Sequence, residues 1–298
     1  MNLKNLKKKL MIIQKIYNKF KNLIISIKIF LKLSLDKIIK PKKINIGGGS
    51  NFNEFGWTNY DINSLTTPME LNPETVFYYK NNFVDLIYSS HCFEHLNDDT
   101  IKNILNEIFR VLKKNGKLLL IIPDYDFFLN KWAKYDESFF SQTKELGFNK
   151  HLHLWKNKNI KDNLDNRAAF LFCSYWNTDF EKKYRAFQSK KNINIDDETA
   201  FWGPPDFDFD KIKNLLKTDS PKVVVDYLRQ EVMNKNDDYI FCHQNAWSKK
   251  EFIKFICENN FQILSSDKNE IINKLEYKKI CGLKDHFQLS NYFLFEKC

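Results

Sequence analysis

Residues 43–50 read KINIGGGS, a short strand that runs directly into three consecutive glycines. The whole chain of 298 residues has eight glycines, so three together mark a place where the backbone turns tightly or comes close to a ligand. In open α/β sheets, a glycine turn after the first strand is where nucleotide-like cofactors bind. We therefore take Gly47, Gly48 and Gly49 as candidate cofactor-binding residues, with a simple tight turn as the alternative.

The following segments have the order of a parallel α/β unit. Residues 56–62, GWTNYDI, predict a second strand with Asp61 near its end, where a carboxylate can accept hydrogen bonds from both hydroxyls of a ribose. A turn or helix-cap aspartate is the alternative. Residues 83–90 are mostly apolar, as interior parallel strands are, and Asn97 can cap an amphipathic helix after them. Residues 117–122 predict another apolar strand, so a parallel sheet is expected.

Five blocks in this order resemble the class I S-adenosylmethionine-dependent methyltransferases, of the small-molecule type 11 kind. They are INIGGG (44–49), WTNYD (57–61), VDLIYSSHCFEHL (84–96), EIFRVLKKNG (107–116) and LIIPD (120–124). The resemblance implies a Rossmann-like fold, a doubly wound and mostly parallel sheet that binds S-adenosylmethionine at its carboxyl edge. It implies that the glycines pass beneath the methionine part, that Asp61 holds the ribose, and that Ser90 and His91 flank the methionine part and the acceptor. The chain departs from the family at Asn45, where many members carry an acid.

Two rival interpretations start from the same segments. Residues 91–95, HCFEH, fit the inverted zinc-protease motif, in which two histidines on one helix bind Zn²⁺ and the glutamate activates water. The motif directly follows a buried strand and no third ligand can be identified, so we expect no metal; Glu94 and His95 would tie the strand to the next helix. A nicotinamide-binding fold is disfavoured, because Phe52 stands where a third small residue is required and Asp61 comes too soon.

The basic charge is confined to the amino-terminal segment. Residues 1–43 carry 13 Lys and one acid, Asp36, whereas the chain has a net charge of +10, so residues 44–298 sum to −2. This distribution disfavours a nucleic-acid partner that binds a basic groove. Apolar residues at steps of three and four predict an amphipathic helix over residues 1–40, with three interpretations: it lies on an anionic membrane, pairs with another helix, or packs on its own domain. No uncharged apolar run reaches the 18 residues of a membrane span.

Cysteine usage and the amino terminus bear on location. The six cysteines are scattered without a CxxC pair, and the lysine-rich start does not read as a signal peptide. Reduced thiols in a cytoplasmic protein are therefore expected. If the amphipathic helix binds lipid, the protein is peripheral on the inner face of the membrane.

A domain organisation follows from where the family pattern stops and resumes. Residues 124–245 break the pattern and are too aromatic for a linker, so we expect a mostly helical insert that serves as a lid or substrate subdomain. Residues 41–123 and 246–298 then form one discontinuous methyltransferase core. Its second part begins with a capping box at residues 248–251 and ends with a reversed strand over 292–296.

The expected chemistry is methyl transfer from S-adenosylmethionine to a small-molecule, sugar or lipid-linked glycan acceptor. Such a transfer depends mainly on alignment of nucleophile, methyl group and sulfur, and needs a base only when the acceptor is an alcohol. His91 is the first candidate for this base and Asp124 the second. The alternative from a different class is a non-catalytic binding or scaffold protein that keeps the fold.

Overall fold

The computed structural model describes residues 27, 42–49, 52, 56–62, 64, 67–141, 164–173, 207–218, 220–235, 242–274 and 289–298. The amphipathic helix predicted over residues 1–40 lies outside this part of the chain, apart from Ile27. None of the helices within the described ranges has the length and apolar character needed to cross a bilayer.

Within the described residues, seven strands form one sheet in the order β3-β2-β1-β4-β5-β7-β6. Strands β1 to β5 pair in parallel, and β7 runs antiparallel to both β5 and β6. The doubly wound, mostly parallel sheet and its reversed last strand are thus confirmed. Successive strands lead outward from β1 on one side and from β4 on the other, which places a topological switch point between β1 and β4. The strands are β1 (Lys43–Ile46), β2 (Trp57–Asp61), β3 (Thr67–Pro68), β4 (Val84–Ser90), β5 (Leu112–Pro123), β6 (Phe261–Ser265) and β7 (Ser290–Lys297).

Two of the helices begin with caps that the sequence predicts. The Asn97 side chain accepts a hydrogen bond from the backbone N–H of Thr100, and Ser248 and Glu251 form a reciprocal capping box. A short 3₁₀ turn (Phe93–His95) connects β4 to the first helix. The helices in the described residues are α1 (Asp98–Val111), α2 (Tyr125–Ala133), α3 (Glu137–Ser141), α4 (Leu164–Cys173), α5 (Phe209–Leu215), α6 (Pro221–Lys235), α7 (Lys249–Cys257) and α8 (Lys268–Lys274).

The start of β5 differs from the prediction of a strand over residues 117–122. Helix α1 ends at Val111, and Leu112 already has extended backbone angles and pairs with Val84 of β4. The register then shifts before Lys117, so the intervening residues bulge from the ladder, with Asn115 at a φ of 62°. The sequence did not indicate this because a lysine-rich, glycine-containing stretch is also typical of a helix end.

Side chains on both faces of the sheet are buried, as its parallel strands require. On one face, Ile87 of β4 and Leu118 of β5 pack with the apolar stripe of α1 and with Phe252 of α7. On the other face, the alternate residues of the same strands pack with Ile271 of α8. The sheet therefore has a core on each side, and its carboxyl edge is left to loops and helix ends.

Helices α2, α4, α5 and α6 have a hydrophobic cluster of their own, centred on buried residues such as Trp132, Phe172 and Leu228. A segment that precedes α7 connects this cluster to the sheet. The backbone N–H of His243 donates to the carbonyl of Cys173 in α4 at 2.7 Å, and that of Gln244 donates to the carbonyl of Glu94 at 2.7 Å. The helical character expected for part of residues 124–245 is present, while their role as a lid or substrate subdomain stays a proposal.

Candidate active site

The predicted site residues lie at one edge of the sheet. The glycine turn follows β1, Asp61 ends β2, Ser90 ends β4, and Asp124 follows β5. These strands are parallel and in register, with Ile46 opposite both Tyr60 and Ser89, so their carboxyl ends meet. Residues separated by up to 77 positions in sequence are thereby assembled around the switch point between β1 and β4.

The glycine turn is bonded directly to the end of β2. The backbone N–H of Gly49 donates to Asp61 Oδ2 at 2.9 Å, and the backbone N–H of Gly47 donates to the carbonyl of Tyr60 at 2.9 Å. Asp61 and the turn therefore lie together at the carboxyl edge of the sheet. A carboxylate offers about four lone-pair positions, so Asp61 can hold the turn and accept hydrogen bonds from a ligand at the same time.

The buried side-chain amides of Asn45 and Asn59 support the glycine turn. Asn45 Nδ2 donates to Asn59 Oδ1 at 3.3 Å, and Asn59 Nδ2 donates to the carbonyl of Gly49 at 2.7 Å. Both side chains are 2% exposed. The departure from the family at Asn45 thus has a structural consequence here, because an amide donates to Asn59 where a carboxylate could only accept.

The three glycines differ in what surrounds them. A Cβ on Gly47 would lie 2.5 Å from the side chain of Cys92, and one on Gly48 would lie 2.0 Å from Asn45 Nδ2. By contrast, no atom of the described residues lies within 4 Å of a Cβ on Gly49, whose φ is 64°. Among the described residues nothing therefore occupies the space beside the Gly49 backbone, which suits close approach of a ligand.

His91, directly after β4, has an unusual backbone and a fixed ring. Its φ is 51°, a conformation that costs a non-glycine residue about 1–3 kcal/mol and is concentrated at functional sites. Nδ1 lies 3.2 Å from Glu94 Oε1, and Nε2 lies 2.9 Å from the hydroxyl of Ser290 at the start of β7. The His91 side chain is 22% exposed, whereas that of Glu94 is fully buried. The His91 ring therefore connects the buried Glu94 carboxylate to the Ser290 hydroxyl and is itself in contact with solvent.

Glu94 is charged although it is fully buried. Burial favours the neutral acid, but contact with His91 and the proximity of His95 and His243 bring the pKa of Glu94 below its ordinary value of 4.5. Burial, with a smaller contribution from the Glu94 charge, raises the pKa of the neighbouring Cys92 thiol to about 12. Cys92 therefore remains a protonated thiol at neutral pH and does not act as a nucleophile.

His95 and His243 lie beside Glu94 and make a compact group with it. One ligand atom from each of the three residues lies within 4.8 Å of the others, and the two rings are 4.7 Å apart between centroids. Burial lowers the pKa of His243 to about 3, so this imidazole is neutral at pH 7. His91 is not part of the group, because its left-handed backbone prevents the helical arrangement that the inverted zinc-protease motif requires.

Asp124 and Ser90 are half-buried at the ends of β5 and β4. Asp124 Oδ1 caps α2 by accepting from the backbone N–H of Phe127 at 3.1 Å, and it also accepts from Asn291 Nδ2 at 3.1 Å. Its predicted role as second base therefore competes with helix capping. Ser90 is half-buried and lies opposite Ile121 of β5.

Sequence reasoning missed His243 and Ser290. They are separated from their partners by long stretches of chain, 199 residues in the case of His91 and Ser290. Neither residue belongs to a recognisable motif, so no signal in a single sequence could have identified them. The exposed Ile62, directly after Asp61, was missed as well; at 63% exposure it offers apolar surface beside the carboxylate.

Residues 57–120 match the model of a family described as methyltransferase domain. No curated protein matches the chain. Among solved structures, the chain is similar to an S-adenosylmethionine-dependent methyltransferase from Mesorhizobium loti at 7% identity, with 89% of this chain and 96% of that chain covered and a TM-score of 0.36. It is also similar to one from Aquifex aeolicus at 18% identity, with 32% and 64% covered and a TM-score of 0.23.

The lengths covered limit what these similarities imply. Three other solved chains are matched over 51%, 62% and 59% of their length, so the chain spans little more than half of them. At such identities and TM-scores the similarities do not assign an activity. The residues matched by the family model include Asp61 and the segment from Ser90 to Glu94, on both sides of the switch point.

Proposed function

We propose that the chain, whose residues 57–120 match a methyltransferase domain, is a class I S-adenosylmethionine-dependent enzyme that methylates a small-molecule, sugar or lipid-linked glycan acceptor. The observation that carries the proposal is the hydrogen bond from the Gly49 N–H to the Asp61 carboxylate at the carboxyl edge, next to the switch point. Crevices at such points are where open α/β sheets bind ligands.

The residues around the glycine turn suit a nucleoside that carries an amino acid. Asp61 would accept hydrogen bonds from the ribose hydroxyls while it holds the turn, and exposed Ile62 would pack against the base. Gly47, Gly48 and Gly49 would let the methionine part lie against backbone, and Ser90 would flank it at the end of β4. When bound, S-adenosylmethionine supplies a methyl group already activated on a sulfonium.

His91 would act on the acceptor. Because Glu94 is ionised and can only accept, the close Nδ1 atom of His91 carries the proton, and Nε2 presents a lone pair. That lone pair accepts from Ser290 in the structure and would take the proton of an acceptor hydroxyl that displaces Ser290. Glu94 is thus a positioning residue that fixes the tautomer, and Asp124 remains the second candidate base.

The acceptor class is inferred from charge and composition. Residues 44–298 sum to −2, which disfavours a polyanionic nucleic-acid substrate, whereas residues 1–43 carry 13 Lys beside an apolar stripe. An enzyme held at an anionic surface by such a segment would meet lipid-linked acceptors there. We therefore infer a cytoplasmic, peripherally membrane-associated enzyme.

The activity is tested with the full chain and S-adenosylmethionine labelled on its methyl group. Transfer of label to hydroxyl-bearing sugars or lipid-linked glycans, with one S-adenosylhomocysteine formed per methyl transferred, is the expected result. Cofactor binding without transfer to any acceptor would favour the non-catalytic scaffold, and absence of binding would reject the proposal.

The membrane association has a separate test. The full chain is expected to sediment with vesicles that contain anionic lipid and to stay in the supernatant with neutral phosphatidylcholine vesicles. Deletion of residues 1–38 is expected to abolish sedimentation. A full chain that never sediments with anionic vesicles would contradict the peripheral location and leave the proposed chemistry unaffected.

A further inference from the structure

We propose that Glu94, His95 and His243 form a binding site for a divalent cation of the zinc class, which links the sheet to the helical cluster. The site is distinct from the proposed cofactor crevice, and the proposal does not depend on the methyl-transfer activity. Two histidines and one carboxylate, with a fourth position left for water or another ligand, are a donor set that zinc accepts in tetrahedral geometry.

The three side chains already converge in a protected place. Their candidate ligand atoms lie within 4.8 Å of one another. Glu94 is 0% exposed and His243 is 6% exposed, while His95 is half-buried at the end of the 3₁₀ turn. Convergence at this spacing requires little movement to reach metal–ligand distances of about 2.0–2.2 Å.

The tautomer of His243 is set by its neighbours. Its Nδ1 lies 3.0 Å from the carbonyl of Phe172, which can only accept, so Nδ1 carries the proton. The Tyr125 hydroxyl, 2.9 Å from the same nitrogen, donates in turn to the carbonyl of Asn245 at 3.2 Å. The Nε2 atom of His243 therefore presents a lone pair. Donation of the other ring N–H to a backbone carbonyl is the usual outer-shell arrangement of a metal-binding histidine.

Glu94 supplies the second observation. Apart from the 3.2 Å contact of Oε1 with His91 Nδ1, neither carboxylate oxygen has a hydrogen-bond partner within the described residues. A buried carboxylate beside an imidazole lone pair concentrates negative potential away from water, which is costly without a compensating cation. A divalent ion would bind both the Glu94 carboxylate and the lone pair of His243. A proton shared between Glu94 and His95 is the competing explanation.

The proposal revises the expectation of no metal, which rested on a missing third ligand. In the proposed site Glu94 is a ligand in place of His91, and the third ligand is His243. His243 belongs to a segment that also donates two backbone hydrogen bonds, from Gln244 and Asn245, to the carbonyl of Glu94. In addition, Asn245 Nδ2 donates to the carbonyl of Leu96 at 2.7 Å. A cation held from both sides of this contact would lock the helical cluster onto the end of β4, next to His91.

The test uses the full chain purified from zinc-supplemented cells. Elemental analysis is expected to find about one equivalent of zinc, and Co²⁺ added to chelator-treated protein is expected to give the visible absorption bands of a tetrahedral site. Glu94→Gln and His243→Gln are each expected to weaken Co²⁺ binding by about 100-fold or more. Cys298→Ser, which removes an exposed thiol able to bind metal adventitiously, is the matched control and should leave binding unchanged.

Measurements on the wild type alone test the proposal even if the variants fail to fold. Zinc is expected to raise the thermal midpoint of chelator-treated wild type, because a ligand that binds the native state stabilises it. Folded wild type without stoichiometric zinc and without the Co²⁺ bands would overturn the proposal and favour the proton shared with His95. Metal content retained in both Glu94→Gln and His243→Gln would overturn it equally.

Discussion

The two halves of the candidate site are built in different ways. The cofactor half, which consists of the glycine turn and Asp61, is made within about twenty residues of chain by hydrogen bonds such as Gly49 N–H to Asp61 Oδ2. The acceptor half, which consists of His91, Glu94 and Ser290, is assembled from residues that lie far apart in the chain. The hydrogen bond between His91 Nε2 and the Ser290 hydroxyl joins residues that are 199 positions apart in the sequence.

This difference separates what local chemistry determines from what tertiary packing determines. In the cofactor half, glycine conformation and a strand-end acid fix the geometry, and the Asn45 and Asn59 amides brace it. In the acceptor half, the antiparallel pairing of β7 with β5 brings Ser290 to the His91 ring. The two halves should therefore respond to mutation through different kinetic parameters.

The largest expected effect is on the acceptor half. His91→Ala should lower turnover of an alcohol acceptor by about 10²–10⁴-fold, because the group that takes the proton is removed. The dissociation constant for S-adenosylhomocysteine should change little, since the proposed cofactor contacts are made by the glycine turn and Asp61. Steady-state kinetics and calorimetry on the same preparation check both statements. Unchanged turnover together with weakened cofactor binding would reverse the assignment of the two halves.

Next in size is a steric test of the cofactor half. Gly48→Ala should cost about 3 kcal/mol of unfolding free energy, because its Cβ would stand 2.0 Å from Asn45 Nδ2 and 2.4 Å from Asn59 Oδ1. The matched variant Gly49→Ala meets no described atom within 4 Å and should cost about 1 kcal/mol for its positive φ. Denaturant unfolding measures the unfolding free energy of both variants. Equal losses would show that the Asn45 and Asn59 side chains move to make room for the added methyl group.

A smaller effect is expected away from both halves, where an ion pair secures the loop before β4. Arg110 donates through Nε and Nη2 to the two carboxylate oxygens of Glu107, both at 2.6 Å, and Glu107 also accepts from the backbone N–H of Phe77 at 2.7 Å. Although burial opposes ionisation, these hydrogen bonds hold the pKa of Glu107 below its ordinary value of 4.5. Glu107→Gln should therefore lose about 2 kcal/mol of unfolding free energy at neutral pH.

The pH dependence of this loss follows from the direction of the shift. A carboxyl group whose pKa is lower in the folded state stabilises the fold above its unfolded pKa, and the contribution disappears as the pH falls through the folded pKa. The difference between wild type and Glu107→Gln should thus be complete at about pH 7 and shrink below about pH 4.5. Urea unfolding at several pH values checks this, and a difference independent of pH would contradict the ionic role. Cofactor affinity should not change.

The sequence predicted the sheet, and also the positions of the glycine turn and of Asp61 at its edge, because these depend on short-range signals. Glycines after β1, Asp61 at the end of β2 and the Asn97 cap are each decided by neighbours in the chain. His243 and Ser290 could not be predicted, because their roles arise only when α4 and β7 are packed beside the end of β4. The helix cap that Asp124 forms by accepting from the backbone N–H of Phe127 was not predicted either.

The central claim is that the Gly49–Asp61 contact forms the cofactor site, and calorimetry with S-adenosylhomocysteine tests it most directly. Wild type should bind with micromolar affinity, and Asp61→Ala should weaken binding by about 10–100-fold through lost hydrogen bonds to a charged group. Asp85→Asn is the matched control, since Asp85 contacts Lys42 and Lys113 away from the glycine turn and should bind as wild type does. Equal affinity of wild type and Asp61→Ala, or no binding by wild type, would contradict the claim.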